Sequence, residues 1–184
     1  MRVGIRSFGL ADAGAVRELH LEAFAGRENE ARLVESLHAA GAAPVSLVAV
    51  DEASGGVVGH ALFSPVEIRD GGASIRAVGL APVGVLPRYQ GKGVGSRLIR
   101  AGLVACREGG YDAVVLLGEP DYYTRFGFDR ASDHGLGNEY GVDEYFMVLG
   151  LRSGALDGAR GTVRYRPEFD QVNTSDRPST RAKS

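Results

Sequence analysis

The chain has 184 residues, 44% of them hydrophobic and 24% charged, with a formal net charge of −2 at pH 7. That is enough for one domain with a proper core, and the balance supplies no basic face for nucleic acid. The single cysteine, Cys106, excludes an internal disulfide framework and a cysteine-based metal cluster; no apolar run reaches membrane-span length and Met1 to Arg6 lack a signal-peptide core, so a cytoplasmic protein is expected.

Val3 to Ser7 is predicted as a short strand, Val3 and Ile5 alternating with Gly4 and Arg6. Asp12 is placed to open a helix on which Val16, Leu19, His20, Ala23 and Phe24 keep helical spacing, and Gly26 breaks it. A second helix from Asn29 carries Leu33, Val34 and Leu37 on one face and ends near Gly41, before Pro44. Val45 to Val50 and Val57 to Ile68 read as two strands of a hairpin joined by a turn over Asp51 to Gly56. Arg69-Asp70-Gly71-Gly72 is a second turn, and Ala73 to Leu86 is a long strand. Pro82 inside it cannot donate to a ladder, so it marks a bulge or an edge.

The stretch that follows organises the chain. Val83-Gly84-Val85-Leu86 passes through Pro87 into Gln90-Gly91-Lys92-Gly93-Val94-Gly95-Ser96 and then into a helix to about Glu108. Val94, Leu98, Ala101, Gly102 and Ala105 form its predicted buried stripe, with Arg97, Arg100 and Arg107 outside. The first N–H groups of a helix have no partner within it and sit at the positive end of its dipole, so a glycine loop leading into a helix suits a phosphate. The spelling is not that of a P-loop, because Gly91-Lys92 is followed by Gly93 rather than Ser or Thr. It is not the dinucleotide fingerprint either, since the third glycine is misplaced and the stretch is not at the first strand.

Gly109-Gly110 stops the helix, and Ala113 to Leu117 is apolar on successive residues, as in a strand covered on both faces. Strand, helix and strand in this order imply parallel pairing through a right-handed crossover. Asp121 to Phe126 is predicted as a short helix, Phe128 begins a strand region and Glu144 to Leu149 is its partner. Residues 150 to 162 are loop-like, and Val163-Arg164-Tyr165 adds a short strand. Residues 1–170 are expected to form one domain, and the polar stretch from Gln171 to Ser184 a disordered tail.

Gln90-Gly91-Lys92-Gly93-Val94-Gly95 resembles the pyrophosphate-binding signature of the GNAT acetyltransferase superfamily, and Val83 to Pro87 resembles the strand end that precedes it there. Tyr122-Tyr123-Thr124-Arg125-Phe126-Gly127-Phe128, after Leu117-Gly118-Glu119-Pro120, resembles a later segment of the same family, in its small YhbS-like branch. The resemblance spans residues 3 to 169. It implies a single-domain α/β (α+β) fold: a mixed, mostly antiparallel sheet flanked by helices, with two central strands splayed to admit a pantetheine arm. It implies acetyl-CoA as donor, an amine of a small molecule or protein as acceptor, direct attack in a ternary complex and, commonly, a homodimer.

By position in the motifs, the main chain of Val83 and Val85 would meet the thioester carbonyl. Gln90, Gly91, Lys92, Gly93, Val94, Gly95 and Ser96 would form the phosphate cradle, with backbone N–H groups carrying most of it. Tyr123 aligns with the family's general acid, because a phenol with a pKa of about 10 stays protonated at neutral pH. Tyr122 is read as a packing residue and Cys106 as core. No general base is identifiable: Glu28, Glu30, Glu67, Glu119, His60 and His134 are candidates, and a water relay would make a dedicated base unnecessary. The histidines at 20, 38, 60 and 134 show no metal-ligand spacing, so no metal is expected. Two alternatives stay open: a non-catalytic acyl-CoA sensor, and a transferase for a longer acyl donor using space beside Gly79, Ala81 and Gly84.

Overall fold

The computed structural model describes residues 1–173. Its strands are β1 (Val3–Ser7), β2 (Val45–Asp51), β3 (Val57–Arg69), β4 (Ala77–Val85), β5 (Ala113–Leu117), β6 (Asp129–Arg130), β7 (Leu136–Asn138), β8 (Phe146–Gly150) and β9 (Gly161–Arg164). The helices are α1 (Ala13–Ala23), α2 (Asn29–Ala39), α3 (Val94–Glu108), α4 (Pro120–Tyr123) and α5 (Asp170–Asn173). The main sheet runs β1-β2-β3-β4-β5-β8-β6, and β9 adds to the far end of β3 and pairs with β7. Two pairs, β4 with β5 and β7 with β9, are parallel; the rest are antiparallel. This is the mixed, mostly antiparallel sheet expected, and the parallel pair β4 with β5 is the one joined by the α3 crossover.

Helices cover both faces. Val16, Leu33, Val34 and Leu37 of α1 and α2 pack with Val48, Leu62 and Ala81 on one side. Val94, Leu98, Ile99 and Cys106 of α3 pack with Leu47, Ala61, Phe63 and Val83 on the other. The buried stripe of α3 is set by Ile99 and Cys106 rather than by Ala101 and Ala105, which are only half-buried. At Gly102 the helix comes so close to the sheet that a Cβ would lie 2.2 Å from the ring of Phe63.

Two features of β4 position the site. The first is a bulge. Phe63 opposes Leu80 and Ala61 opposes Val83, so Ala81 and Pro82 together face Leu62 on β3. Pro82 therefore marks a bulge in a central strand, where its missing N–H removes no ladder bond. The extra residue restores the alternation so that Leu80 and Val83 both point toward α3 while Ala81 points toward α2. The second is a splay. β4 pairs with β5 only through Ala77–Gly79 against Ala113–Val115, although both strands run on. Their shared end is clamped by Asp112, which accepts from the Arg76 N–H at 2.8 Å and donates its own N–H to the Arg76 carbonyl at 2.8 Å.

Elsewhere the boundaries shift modestly. β4 begins at Ala77, not Ala73, and the third pairing of β3 is made by Gly161–Arg164. Gln171 lies inside α5, and the rest of the expected tail, from residue 174, lies outside the described residues. Among the described residues no helix is long and apolar enough to cross a membrane.

Candidate active site

Beyond the splay, the main chain of β4 has two sides. The N–H of Leu86 donates to the Val58 carbonyl at 3.0 Å, so residue 86 is bonded toward β3. In an antiparallel pair successive residues turn their polar groups to opposite sides. Gly84, opposite His60, therefore bonds to β3, while Val83 and Val85 turn their N–H and C=O groups toward the gap left by β5. The Val85 carbonyl accepts a 2.9 Å hydrogen bond there from Gln90 Nε2. Two main-chain donors thus line the gap.

The glycine loop follows at once. Pro87–Tyr89 makes a tight turn, pinned to the end of β2 by a 2.8 Å hydrogen bond from the Tyr89 hydroxyl to Asp51. Gly91 and Gly93 stand at φ 70° and 80°, and a Cβ on either would meet nothing within 4 Å. They are needed for backbone conformation, not for clearance. Gly93 is the N-cap of α3, and the helix's first internal bond runs from the Arg97 N–H to the Gly93 carbonyl at 3.1 Å. The N–H groups of Val94, Gly95 and Ser96 precede that bond and face outward from the positive end of the helix. This arrangement fits a pyrophosphate without help from a side chain.

The side chains of the predicted cradle play unequal parts. Gln90 is a strut that ties the loop to β4. Lys92 folds back over the turn, donating to the Arg88 carbonyl at 2.7 Å with its Nζ 5.8 Å from the Tyr89 ring centre. Ser96 is half-buried, its Oγ 3.5 Å from the Tyr122 hydroxyl. The Tyr122 ring packs against the core beside Tyr123 and Phe126, as read from the sequence, while its hydroxyl reaches the first turn of α3. Arg125 caps the Tyr122 ring, 4.5 Å from its centre.

Tyr123 is buried at 3% exposure, with its ring packed edge-on to Tyr122 and Phe128. A Cβ at Gly118 would lie 2.2 Å from the Tyr123 ring, so Gly118 makes the slot in which the phenol sits. Burial first, and the neighbouring Tyr122 second, push its pKa well above the ordinary phenol value and keep it protonated.

The base candidates separate by environment. Glu28 pairs with Arg32 and, at 3.5 Å, with Arg17; Glu67 pairs with Arg69 at 3.1 Å; His134 pairs with Asp129 at 3.2 Å. Glu119 is exposed, and its carbonyl accepts from the N–H groups of Tyr122 and Tyr123 at the start of α4. Glu30 is buried on α2. His60 is fully buried and lies 2.9 Å from both His20 and Ser46. His20, His38 and Ser46 were invisible as a group because they come from different elements at unrelated spacing. The space above two small residues of β4 is taken: Gly79 is packed by Tyr165 and Gly84 by His20 and Leu19, each within about 3 Å of an added Cβ. Among the described residues no cluster of His, Cys, Asp and Glu is suited to a metal ion.

A sequence profile of the acetyltransferase (GNAT) domain matches residues 4–131. The chain is 40% identical over 143 residues to the uncharacterized N-acetyltransferase YhbS of Escherichia coli (strain K12), covering 77% of this chain and 84% of that one. It is 39% identical over 135 residues to YjhQ of the same strain, also an uncharacterized N-acetyltransferase, covering 73% and 74%. The crystal structure of E. coli YhbS in complex with CoA superposes with a TM-score of 0.86 at 37% identity, over 92% of this chain and 93% of that one. A GNAT family acetyltransferase from Brucella melitensis in complex with acetyl-CoA superposes with a TM-score of 0.76 at 38% identity, over 92% and 99%.

Proposed function

The chain belongs to the GNAT acetyltransferase family, and we propose that it transfers an acetyl group from acetyl-CoA to a primary amine of a small molecule or protein by direct attack in a ternary complex. One observation carries this: β4 leaves β5 after Gly79, and the main chain of Val83 and Val85 faces the opening within reach of an anion-binding helix start. CoA-bound and acetyl-CoA-bound relatives of the same fold support the choice of donor.

Acetyl-CoA supplies an activated thioester carbonyl. The N–H groups of Val83 and Val85 are placed to donate to its oxygen as charge builds there, in a gap lined by buried side chains. The N–H groups of Val94, Gly95 and Ser96, on the turn shaped by Gly91 and Gly93, hold the pyrophosphate. Gln90 fixes that turn relative to Val85, so one strut sets the distance between phosphates and carbonyl. Lys92 adds charge at the rim. Tyr123 holds a proton for the departing sulfur. Cys106 is buried and its thiol is pushed up to about 12 by burial, which favours direct transfer over an acyl-enzyme.

The test is incubation with acetyl-CoA and a panel of ethanolamine, Nα-acetyl-lysine, spermidine and a lysine-bearing peptide, read by CoA release and product mass. Acetylated product supports the proposal. Saturable acetyl-CoA binding with no product from any amine would favour a sensor.

A further inference from the structure

Under α1 and α2 the sheet carries an unbroken chain of polar side chains. His20 Nε2 lies 2.9 Å from His60 Nδ1, His60 Nε2 lies 2.9 Å from Ser46 Oγ, and Ser46 Oγ lies 3.1 Å from His38 Nε2. The strand register builds it: His60 stands opposite Gly84 on β4 and Val48 on β2, and Ser46 is the next residue of β2 on the same face. His20 and His60 are fully buried. His38 is half-buried, stacked on Phe8 at 4.1 Å, and it lines a surface cavity with Phe8, Pro44 and Ser46.

The inner end of the chain lies against the strand that carries the proposed reaction centre. His20 lies against Gly84, where a Cβ would come within 2.9 Å of Nδ1, and Gly84 stands between Val83 and Val85. Nothing among the described residues hydrogen-bonds that Nδ1, although the ring has no exposure. A buried polar atom without a partner is costly, and apolar side chains would fill this space at lower cost. The arrangement therefore needs a reason beyond packing.

We infer that His20, His60, Ser46 and His38 form a proton relay that carries the proton shed by the attacking amine from the splayed strand to the opposite surface; this rests on the acetyl-transfer reading above. In the resting arrangement His20 Nε2–H donates to His60 Nδ1, His60 Nε2–H to Ser46 Oγ, and the Ser46 hydroxyl to His38 Nε2. His20 Nδ1 is then a bare acceptor. A proton taken there is matched by a one-bond shift of each proton along the chain and by loss of the Nδ1 proton of His38 to solvent. Each N–H or O–H bond that breaks is replaced by one that forms, and no buried ring keeps a net charge, which burial would penalise. When the products leave, the reverse shift restores the first arrangement, with His38 taking a proton from solvent and His20 giving one to entering water.

Ser46 is the link to cut, because it stands in mid-chain between His60 and His38, away from the splay. With the amine of the panel that is turned over fastest, Ser46→Ala is expected to lower kcat about tenfold to a hundredfold, at the low end of general acid–base effects, with KM for acetyl-CoA unchanged. The rate plotted against the deuterium fraction of the solvent should be bowed in the native protein, where several protons move together, and straight in Ser46→Ala. Ser46→Thr keeps the hydroxyl and should restore both. His38→Gln, at the half-exposed end, repeats the test where Ser46→Ala folds poorly. In nitrogen-15 histidine NMR the native His20 Nδ1 should read as unprotonated, and its shift should respond to Ser46→Ala but not to Ser46→Thr. A native kcat and bowed plot in Ser46→Ala, or a His20 shift indifferent to Ser46, would overturn the relay while leaving acetyl transfer intact. A panel with no product at all would overturn the transfer reading and the relay with it, even where the rings respond.

Discussion

Gln90 reaches back from the start of the glycine loop to donate a 2.9 Å hydrogen bond from Nε2 to the carbonyl of Val85, the last residue of β4. Removing it leaves a part-buried carbonyl without its partner, a net loss of about 0.5–1.5 kcal/mol. Gln90→Ala should lower the melting temperature by about 2–4 °C per kcal/mol lost. It should also weaken acetyl-CoA by up to about tenfold, as the phosphate turn drifts relative to the splay. Thermal melts and a titration of the variant check both, and unchanged affinity would remove Gln90 from the positioning role.

Gly91 and Gly93 sit in left-handed conformation with open space around them. Gly93→Ala should cost about 1–2 kcal/mol, and Gly93→Asn less, because asparagine tolerates this region better. Acetyl-CoA affinity should fall in the same order. Gly14→Ala in α1, where an added Cβ also meets nothing within 4 Å, serves as control and should stabilise by up to about 1 kcal/mol. Urea midpoints rank the variants; equal losses at Gly14 and Gly93 would contradict the conformational account.

Tyr123 and Tyr122 make a paired test. Tyr123→Phe should lower kcat by about a hundredfold or more with little change in KM for acetyl-CoA, as expected for loss of a general acid. Tyr122→Phe, which loses only the 3.5 Å contact with Ser96, should act mainly on KM. Burial and Tyr122 raise the Tyr123 phenol above its ordinary value, so it stays protonated well past neutral pH. The kcat profile should show no alkaline fall from this group up to about pH 10, the ordinary phenol value. A descending limb below that pH that vanishes in Tyr123→Phe would contradict the raised phenol, and a native kcat in Tyr123→Phe would refute the general-acid assignment.

The buried histidines predict acid sensitivity. Burial lowers the His20 imidazole to about 3 and pushes His60 and His38 down as well, with His20 and His38 adding to the effect at His60. Unfolded, these rings protonate near pH 6.5. Below that pH the unfolded chain binds protons that the folded chain does not, so stability falls as the pH falls; above it these groups contribute no slope. Each proton taken up on unfolding is worth about 1.4 kcal/mol per pH unit. Denaturant melts should show this loss beginning near pH 6.5, and stability that stays flat down to about pH 5 would contradict neutral buried rings.

What the sequence disclosed follows from how local each signal is. The hairpin, the crossover through α3 and the glycine loop depend on periodicity, on Gly91 and Gly93 at positive φ, and on residues adjacent in the chain. The Tyr122–Phe128 segment was equally legible as a motif, but not that Tyr122 would reach Ser96 from α4. Pro82 announced an irregularity, yet only the pairing of Ala61 with Val83 and Phe63 with Leu80 shows it to be a bulge that re-aims β4. The histidine chain was hidden because Ser46 and His60 meet through the register of two strands and His20 joins them from a helix, so no spacing in the sequence brings the three together. Gly79 and Gly84 looked like room for a larger acyl group because a glycine in sequence does not show which side chain fills the space above it.

Calorimetric titration with acetyl-CoA, alongside dephosphorylated pantetheine lacking the pyrophosphate, tests the central claim most directly. If the splay of β4 and the N-terminus of α3 form one donor site, acetyl-CoA binds saturably, pantetheine binds far more weakly, and Gly93→Ala narrows the difference between them. Equal binding of the two, or no binding of acetyl-CoA, would contradict a phosphate cradle at Gln90 to Ser96.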